Sequence, residues 1–235
     1  MSTLRPVRVN HLLIGRCVPF GPNGEPSAID KRCVTESVPV STPGLAGDEQ
    51  GDRRHHGGPD KALHHYPAEH YVTWRRELPS LPECCWRPGA FGENIGTAGL
   101  TEDNVCVGDV FRLGSALIQV SQARQPCWRL NLRFGRPDMS RLVQASARTG
   151  WYYRVLESGE IAAGMDMRLI ERPHPDWPLA RLLRHLYADP LERRALAAIA
   201  ELDVLPKSWR QLAERRLTTG LVEDWSGRLD TPPVR

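Results

Sequence analysis

Residues 107–121 read Val107-Gly-Asp-Val-Phe-Arg-Leu-Gly-Ser-Ala-Leu-Ile-Gln-Val-Ser121. Two β-prone runs, 107–113 and 116–121, are joined here by Gly114-Ser115, which is typical of a hairpin turn. Further apolar-rich runs predict short strands at 7–14, 33–40, 151–156 and 165–170. Many short strands between turn-forming residues favour a β-barrel or a β-sandwich over residues 5–170.

The hairpin leads into a second informative stretch, Gln122-Ala-Arg-Gln-Pro-Cys-Trp-Arg-Leu130. Cys127 is predicted to lie where a strand gives way to a loop, which is a common position for a functional side chain. Arg124 and Arg129 flank the cysteine, and a nearby cation favours the thiolate, the form that attacks or binds a metal. A small buried hydrophobic residue is the competing interpretation of Cys127.

Residues 44–67 are polar and glycine-rich, with many acidic and histidine side chains. These are Asp48, Asp52, His55, His56, Asp60, His64 and His65. One interpretation is a metal site, because histidine and aspartate bind zinc and iron, although the spacing matches no standard zinc pattern. The other is a loop whose Asp and His side chains satisfy its own backbone amides.

Three polar residues elsewhere in the chain are also considered. Glu93 and Asn94 lie between glycines, so they could bind a polar ligand or pin a turn. Lys31 precedes the predicted second strand, and the pattern alone favours a solvated surface lysine.

Helical patterns are few in the first part of the chain. The spacing of Tyr71, Trp74 and Leu78 predicts a helix over 66–78 with one buried face, and a second short helix is predicted over 138–148. A proline-rich segment, 172–178, then precedes three predicted amphipathic helices, 179–188, 191–202 and 208–217. We therefore predict two domains, a β domain over residues 1–172 and a three-helix domain over residues 173–235.

Composition narrows the class of protein. The chain has 235 residues, a formal net charge of +3 and six cysteines, with no Cys-x-x-Cys pair. The mild positive charge suits an anionic small ligand and does not favour stable nucleic-acid binding. We find no signal-peptide pattern and no membrane-length apolar run, so we expect reduced thiols, a cytoplasmic location and no membrane association.

Taken together, these motifs resemble the MOSC domain, the domain named for the C-terminal part of molybdenum cofactor sulfurase. The resemblance is carried by Gly47-Asp-Glu-Gln50, His56-Gly-Gly-Pro-Asp-Lys-Ala-Leu63, His65-Tyr-Pro67, Phe91-Gly-Glu-Asn-Ile95, Gly108-Asp-Val110 and Arg124-Gln-Pro-Cys-Trp-Arg-Leu130. Lys207-Ser-Trp209 and its surrounding helices are similar to the appended three-helix domain of the YiiM-type branch. The resemblance implies a mainly β fold, a MOSC-type β-barrel followed by a small three-helix domain.

The resemblance also implies a cofactor, the molybdenum cofactor, in which a pterin (molybdopterin) holds molybdenum through a dithiolene. Cys127 matches the cysteine that binds the metal or carries a sulfur, and a soft thiolate suits that metal. Lys31 matches the family's lysine near the cofactor's phosphate. The branch often has threonine at the next position, where this chain has Arg32, which replaces a hydroxyl contact but adds positive charge for the phosphate. His65 and Tyr66 match positions that approach the reacting centre, and we assign them as catalytic with Cys127. The remaining implied cofactor-binding residues are Asp60, Lys61, Glu93, Asn94 and Arg124.

The implied activity is the reduction of N-hydroxylated substrates, such as hydroxylaminopurines, to amines, without pyridoxal phosphate. No Gly-x-Gly-x-x-Gly motif for a flavin or nicotinamide follows a strand, so an electron-donating reductase protein is an expected partner. An arginine-rich helical face could dock that partner or could simply be solvated; its members are Arg193, Arg194, Arg210, Arg215 and Arg216.

Two other functions are retained at this point. The first is a non-catalytic carrier of the cofactor or of sulfur on Cys127. The second, weaker alternative is a zinc hydrolase that uses the histidine-rich loop. A homodimer is one of the oligomeric states left open.

Overall fold

The structure, a computed structural model, describes residues 4–51 and 57–234. Short strands dominate the first 171 residues. They are β1 (Val7–Ile14), β2 (Val18–Pro19), β3 (Pro26–Ser27), β4 (Arg32–Val34), β5 (Val38–Ser41), β6 (Gly44–Leu45), β7 (Leu63–Pro67), β8 (Ile95–Thr97), β9 (Val110–Leu113), β10 (Ala116–Ala123), β11 (Trp151–Glu157), β12 (Gly159–Ile161) and β13 (Asp166–Glu171).

The helices lie at the barrel's periphery and in the last third of the chain. They are α1 (Ala68–Glu77), α2 (Arg129–Phe134), α3 (Met139–Ser146), α4 (Leu179–Leu183), α5 (Arg193–Glu201), α6 (Lys207–Thr219) and α7 (Ser226–Leu229). A π-helical turn, Arg184–Ala188, continues α4, and 3-10 turns lie at Pro59–Lys61 and Glu83–Trp86.

Seven strands close into a barrel in the order β13-β9-β10-β11-β7-β8-β1, and β1 pairs back with β13 through Val7 and Met167. Neighbouring strands are antiparallel except β7 and β8, which are parallel. Closure pairs the edges of the sheet with each other, so the backbone groups of the first and last strands are satisfied. The predicted β-barrel is therefore confirmed, and the alternative of a β-sandwich is not.

The predicted hairpin at Gly114-Ser115 is confirmed, although its first strand begins at Val110 and not at Val107. Leu113 in β9 pairs with Ala116 in β10 around the Gly114-Ser115 turn. Ala116, Ile118 and Val120 are fully buried while the residues between them are half-buried, as expected for a strand with one face on the core. Strand β10 continues to Ala123 and so delivers Arg124 to the edge of the barrel.

Three predicted segments differ from the structure. The predicted strand over 33–40 is two strands, because β4 pairs with β1 whereas β5 pairs with β12, and the polar residues 35–37 cross between the two sheets. The predicted loop over 44–67 contains β7, which is buried at all five positions and therefore shows no polar and apolar alternation. The arginine-rich segment after Cys127 begins helix α2, which ends at the left-handed Gly135.

The C-terminal helices pack directly on the barrel. The predicted helical segments are confirmed, and their buried leucines belong to the same hydrophobic core as the barrel interior; examples are Leu179, Leu182 and Leu183. The connection before them is fixed by an ion pair between Arg172 and the buried Asp109, at 2.7 Å. The two predicted domains, residues 1–172 and 173–235, thus share one continuous core.

Arg216 does not belong to an exposed arginine face. Its side chain is buried, and its guanidinium donates to both carboxylate oxygens of Glu223, at 2.7 and 3.0 Å, and to the Leu186 carbonyl at 3.0 Å. Including Arg216 in a docking surface was therefore wrong. Its neighbour Arg215 is exposed.

This difference predicts unequal effects of two adjacent substitutions. Arg216→Met should lower the free energy of unfolding by about 2–3 kcal/mol, because the Glu223 carboxylate and the Leu186 carbonyl lose a charged donor. Arg215→Met should change it by no more than about 0.5 kcal/mol. Urea unfolding of both variants measures the difference, and equal effects would contradict the buried placement.

Candidate functional site

An open cavity lies beside the end of β10, with about 600 Å³ of empty space including the part that is open to solvent. Residues from separate parts of the chain meet on its walls, because β7, β10 and β11 are neighbours in the barrel. Its lining residues include Lys31, Asp48, His64, Asn94, Arg124 and Cys127.

The lining of the cavity is positively charged. Four of its residues are basic, namely Lys31, Lys61, Arg124 and Arg129, and two are acidic, Asp48 and Glu49. The difference is an excess of two positive charges. A recessed positive surface attracts anions, so the cavity suits a ligand that carries a phosphate or a carboxylate.

Cys127 lies between β10 and α2 and contributes to the cavity wall, with 7% of its surface exposed. Its carbonyl accepts a hydrogen bond from the Leu130 amide at 3.0 Å, which fixes the backbone as α2 begins. The Arg129 guanidinium stacks on the Trp128 ring at 4.5 Å. The thiol is therefore held by ordered backbone within the basic cavity.

Arg124 has an unused hydrogen-bond donor in this cavity. Its side chain is 6% exposed, yet its Nη1 has no hydrogen-bond partner among the described residues. The Arg124 amide donates to the Gly150 carbonyl at 2.9 Å, so the backbone is fixed. Because buried polar groups are nearly always hydrogen-bonded, an unpaired guanidinium nitrogen in a basic cavity indicates a ligand contact.

Lys31 is buried rather than solvated, contrary to the sequence pattern. Its Nζ bonds to the Asp48 carboxylate, at 2.6 Å from Oδ2, and Asp48 also accepts from the Gly15 amide and from Asn94 Nδ2. Burial lowers the pKa of Lys31, while the Asp48 carboxylate acts in the opposite direction. The lysine charge is thus already balanced by a carboxylate on the cavity wall.

The structure brings five of the predicted cofactor-binding residues to one cavity, namely Lys31, Lys61, Asn94, Arg124 and Cys127. The other three lie elsewhere. Arg32 is exposed on β4, and Asp60 accepts from Arg154 at 2.7 Å. Glu93 is buried and accepts from the Tyr71 hydroxyl and the Gly89 amide, both at 2.6 Å, so it pins the 89–93 turn.

His65 and Tyr66, predicted as catalytic, do not line the cavity. His65 bonds to the Tyr153 hydroxyl at 3.0 Å and to Thr97 Oγ1 at 2.9 Å, inside the barrel. Tyr66 stacks on Phe91, with ring centroids 4.1 Å apart. Because successive side chains on a strand point to opposite faces, His64 contributes to the cavity and His65 does not. Both predicted residues therefore occupy core positions.

The two adjacent histidines are held neutral by their surroundings. Burial lowers the pKa of His65 to about 3. Burial, reinforced by the positive charge of Arg124, holds the pKa of His64 well below its usual range. The Nε2 of His64 has no hydrogen-bond partner among the described residues.

These lowered pKa values predict acid lability. Between about pH 6.5 and pH 5 the unfolded chain takes up protons on both histidines and the folded protein does not. The free energy of unfolding should therefore fall as the pH is lowered, with a limiting slope of about 1.4 kcal/mol per pH unit for each histidine. Urea unfolding across this range measures the slope, and His65→Gln should reduce it. A flat profile would contradict neutral buried histidines.

Tyr152 and Asp48 line the cavity but were not predicted as site residues. Tyr152 lines the cavity beside His64, with ring centroids 5.1 Å apart, and burial raises the pKa of its phenol. Asp48 was considered as a possible metal ligand of the 44–67 segment, and not as the partner of Lys31. The strand predicted over 151–156 could have shown that Tyr152 and its two neighbours point to opposite faces of the sheet. Only the pairing of His64 in β7 with Tyr152 in β11 shows that the face carrying Tyr152 lines the cavity.

Neither a metal cluster nor a membrane span is found in the described part of the chain. Within residues 4–51 and 57–234, no three His, Cys, Asp or Glu side chains are grouped to hold a metal ion. Asp52, His55 and His56 of the histidine-rich segment lie outside the described residues. Among the helices of the same ranges, none has the length and apolar character that crossing a bilayer requires.

Comparison with known proteins agrees with this architecture. A family model described as "MOSC domain" matches residues 52–168, and one described as "YiiM-like, 3-alpha helix domain" matches residues 177–220. Protein YiiM of Escherichia coli (strain K12) is 43% identical over 210 residues, which are 88% of this chain and 92% of that protein. A protein named "Reductase" from Gibberella moniliformis is 38% identical over 177 residues, which are 75% of this chain and 31% of that protein.

Solved structures show the same similarity. The crystal structure of YiiM from Escherichia coli matches with a TM-score of 0.81 and 34% identity, covering 96% of this chain and 98% of that one. YiiM from Geobacillus stearothermophilus matches with a TM-score of 0.76 and 33% identity, covering 90% and 100%. The two family models and the 43% identity to YiiM agree with the barrel and its appended helices. The chain therefore belongs to the MOSC domain family, in the branch that carries a YiiM-like three-helix domain.

Proposed function

We propose that this protein is a molybdenum-cofactor-dependent reductase that converts N-hydroxylated compounds, such as hydroxylaminopurines, into amines. The observation that carries the proposal is the placement of Cys127 in a basic cavity together with the unpaired Arg124 donor. Two comparisons support it. The matching domain is named for molybdenum cofactor sulfurase, and a fungal relative is named as a reductase.

The residues of the cavity fit this cofactor. A cysteine thiolate is a soft ligand, which suits a metal that is already bound by sulfur. Arg124 would bind the phosphate, because its Nη1 is buried and has no hydrogen-bond partner among the described residues. Lys31 is less suited to that contact than the family resemblance implies, because Asp48 already pairs with it. The bound cofactor would supply the two-electron chemistry.

The protein's own groups would hold and orient the reactants. Cys127 would bind the metal or carry a sulfur, and Arg124 would fix the anionic end of the cofactor. The neutral His64 and Tyr152 side chains would offer hydrogen bonds to a polar substrate without adding charge. The overall reaction takes R–NHOH, two electrons and two protons to R–NH2 and water. The electrons would come from a separate reductase protein, since this chain has no flavin or nicotinamide motif.

Turnover tests the proposal and separates it from the carrier alternative. Protein made in a host that produces molybdenum cofactor should convert a hydroxylaminopurine to the aminopurine when a chemical reductant is supplied, as measured by chromatography of the bases. The same preparation stripped of cofactor is the control. Cofactor-loaded protein that binds the base but releases no amine with several reductants would favour the carrier.

A further inference from the structure

The chain after α6 returns to the barrel and lies against the loop that carries Cys127. We call residues 225–231, which include α7, the C-terminal strap. Leu229 of the strap is buried, at 1% exposure, and its carbonyl accepts from Asn131 Nδ2 at 2.8 Å and from the Ser140 hydroxyl at 2.7 Å. The strap is thus anchored on α2 and α3, the helices that follow the cysteine.

Arg228 of the strap contacts both neighbours of Cys127. Its Nη1 donates a hydrogen bond to the Pro126 carbonyl, and its own carbonyl accepts from the Trp128 amide at 2.8 Å. Its Nη2 donates to Gln144 Oε1 at 2.6 Å, which fixes the guanidinium against α3. One residue therefore fixes the peptide groups on either side of the cysteine from about 100 residues further along the chain.

We propose that the C-terminal strap positions Cys127 for its role in the cavity, and that Arg228 is the positioning residue. This inference rests on the proposed function only for what Cys127 does once positioned. A loop held at both flanking peptides has fewer conformations to sample, so its thiol keeps one direction relative to the cavity. The strap would give the helical part of the chain a role at the site without contributing a ligand.

A purely structural role is the competing explanation, and thiol reactivity separates the two. Cofactor-free protein is treated with iodoacetamide, and the alkylation rate at each cysteine is followed by mass spectrometry of its peptide. Arg228→Ala should raise the rate at Cys127 by about tenfold, because local opening of the loop becomes easier when its hydrogen bonds are lost. The rate at Cys106, which is buried elsewhere, should stay unchanged.

Two further variants act as controls. Arg228→Lys keeps a donor for the Pro126 carbonyl but loses the second hydrogen bond, to Gln144. Its alkylation rate at Cys127 should therefore lie between those of the wild type and Arg228→Ala. Arg141→Ala removes the exposed ion pair between Arg141 and Asp230 of the strap but leaves the Arg228 contacts, so it should react like the wild type.

In cofactor-loaded protein, X-ray absorption at the molybdenum edge should count fewer sulfur ligands in Arg228→Ala than in the wild type. An unchanged rate at Cys127 in Arg228→Ala would overturn the inference. Equal acceleration at Cys127 and Cys106 would also overturn it, because the strap would then only stabilise the fold. Absence of molybdenum from the wild type would instead contradict the proposed function, and the alkylation result would still decide the role of Arg228.

Discussion

Cys127→Ser should lower turnover of N-hydroxylated purines by at least about 100-fold while leaving the fold intact. Serine has nearly the same size as cysteine, so the cavity wall keeps its shape. Its hydroxyl is a hard oxygen that stays protonated at neutral pH, so it replaces a thiolate poorly toward a soft metal. The measurement is steady-state turnover with a chemical reductant, together with the molybdenum content of the variant and circular dichroism.

Cys84→Ser is the matched control, because Cys84 is exposed and lies outside the cavity. It should keep wild-type turnover and molybdenum content. Full turnover and full molybdenum content in Cys127→Ser would show that this cysteine is neither a metal ligand nor a sulfur carrier. Loss of turnover with retained molybdenum would favour the sulfur-carrier role of the cysteine over metal binding.

Truncation after Arg172 should prevent the barrel from folding. Leu179, Leu182 and Leu183 are at most 1% exposed, and they fill the same core as the barrel interior. Burying a leucine contributes about 1.5–3 kcal/mol. Losing several such residues approaches the whole stability of a typical domain, about 5–15 kcal/mol. Circular dichroism and urea unfolding of the shortened chain measure the outcome.

This result would decide between two roles for the helices. If the shortened chain folds, keeps its cofactor and works with a chemical reductant but not with a protein donor, the helices are a docking unit. If it folds and works equally with both donors, the shared core is not needed for the barrel and the expectation fails. Only loss of the folded state agrees with the packing described here.

Local sequence patterns were sufficient for the elements that carry their own signal. The hairpin at Gly114-Ser115 and the helix containing Trp74 follow from alternation and helical spacing, and the structure confirms both. Strand β7 could not be found in this way, because every one of its side chains is buried and no alternation remains. The helix after Cys127 was hidden by its arginines, one of which stacks on a tryptophan instead of facing water.

The site was harder to predict because it depends on long-range pairing. Flanking arginines pointed to Cys127, and Arg124 does share its cavity. The choice between His64 and His65 depends on which face of β7 lines the cavity. A shift of one residue in the register of this strand would exchange the two histidines. The sequence pattern predicts that Lys31 is solvated, but in the structure it is buried and pairs with Asp48, 17 residues away. Arg228 contacts the cysteine loop from the far end of the chain, where sequence spacing carries no information.

Metal and pterin analysis is the most direct test of the central claim, that the Cys127 cavity binds molybdenum cofactor. Protein is purified from a host that makes the cofactor, and its metals and released pterin are quantified beside an Arg124→Met variant, which lacks the unpaired cavity donor. We predict equimolar molybdenum and pterin in the wild type and a clear loss of pterin in Arg124→Met. Stoichiometric zinc with no pterin in the wild type would contradict the account and favour the hydrolase alternative.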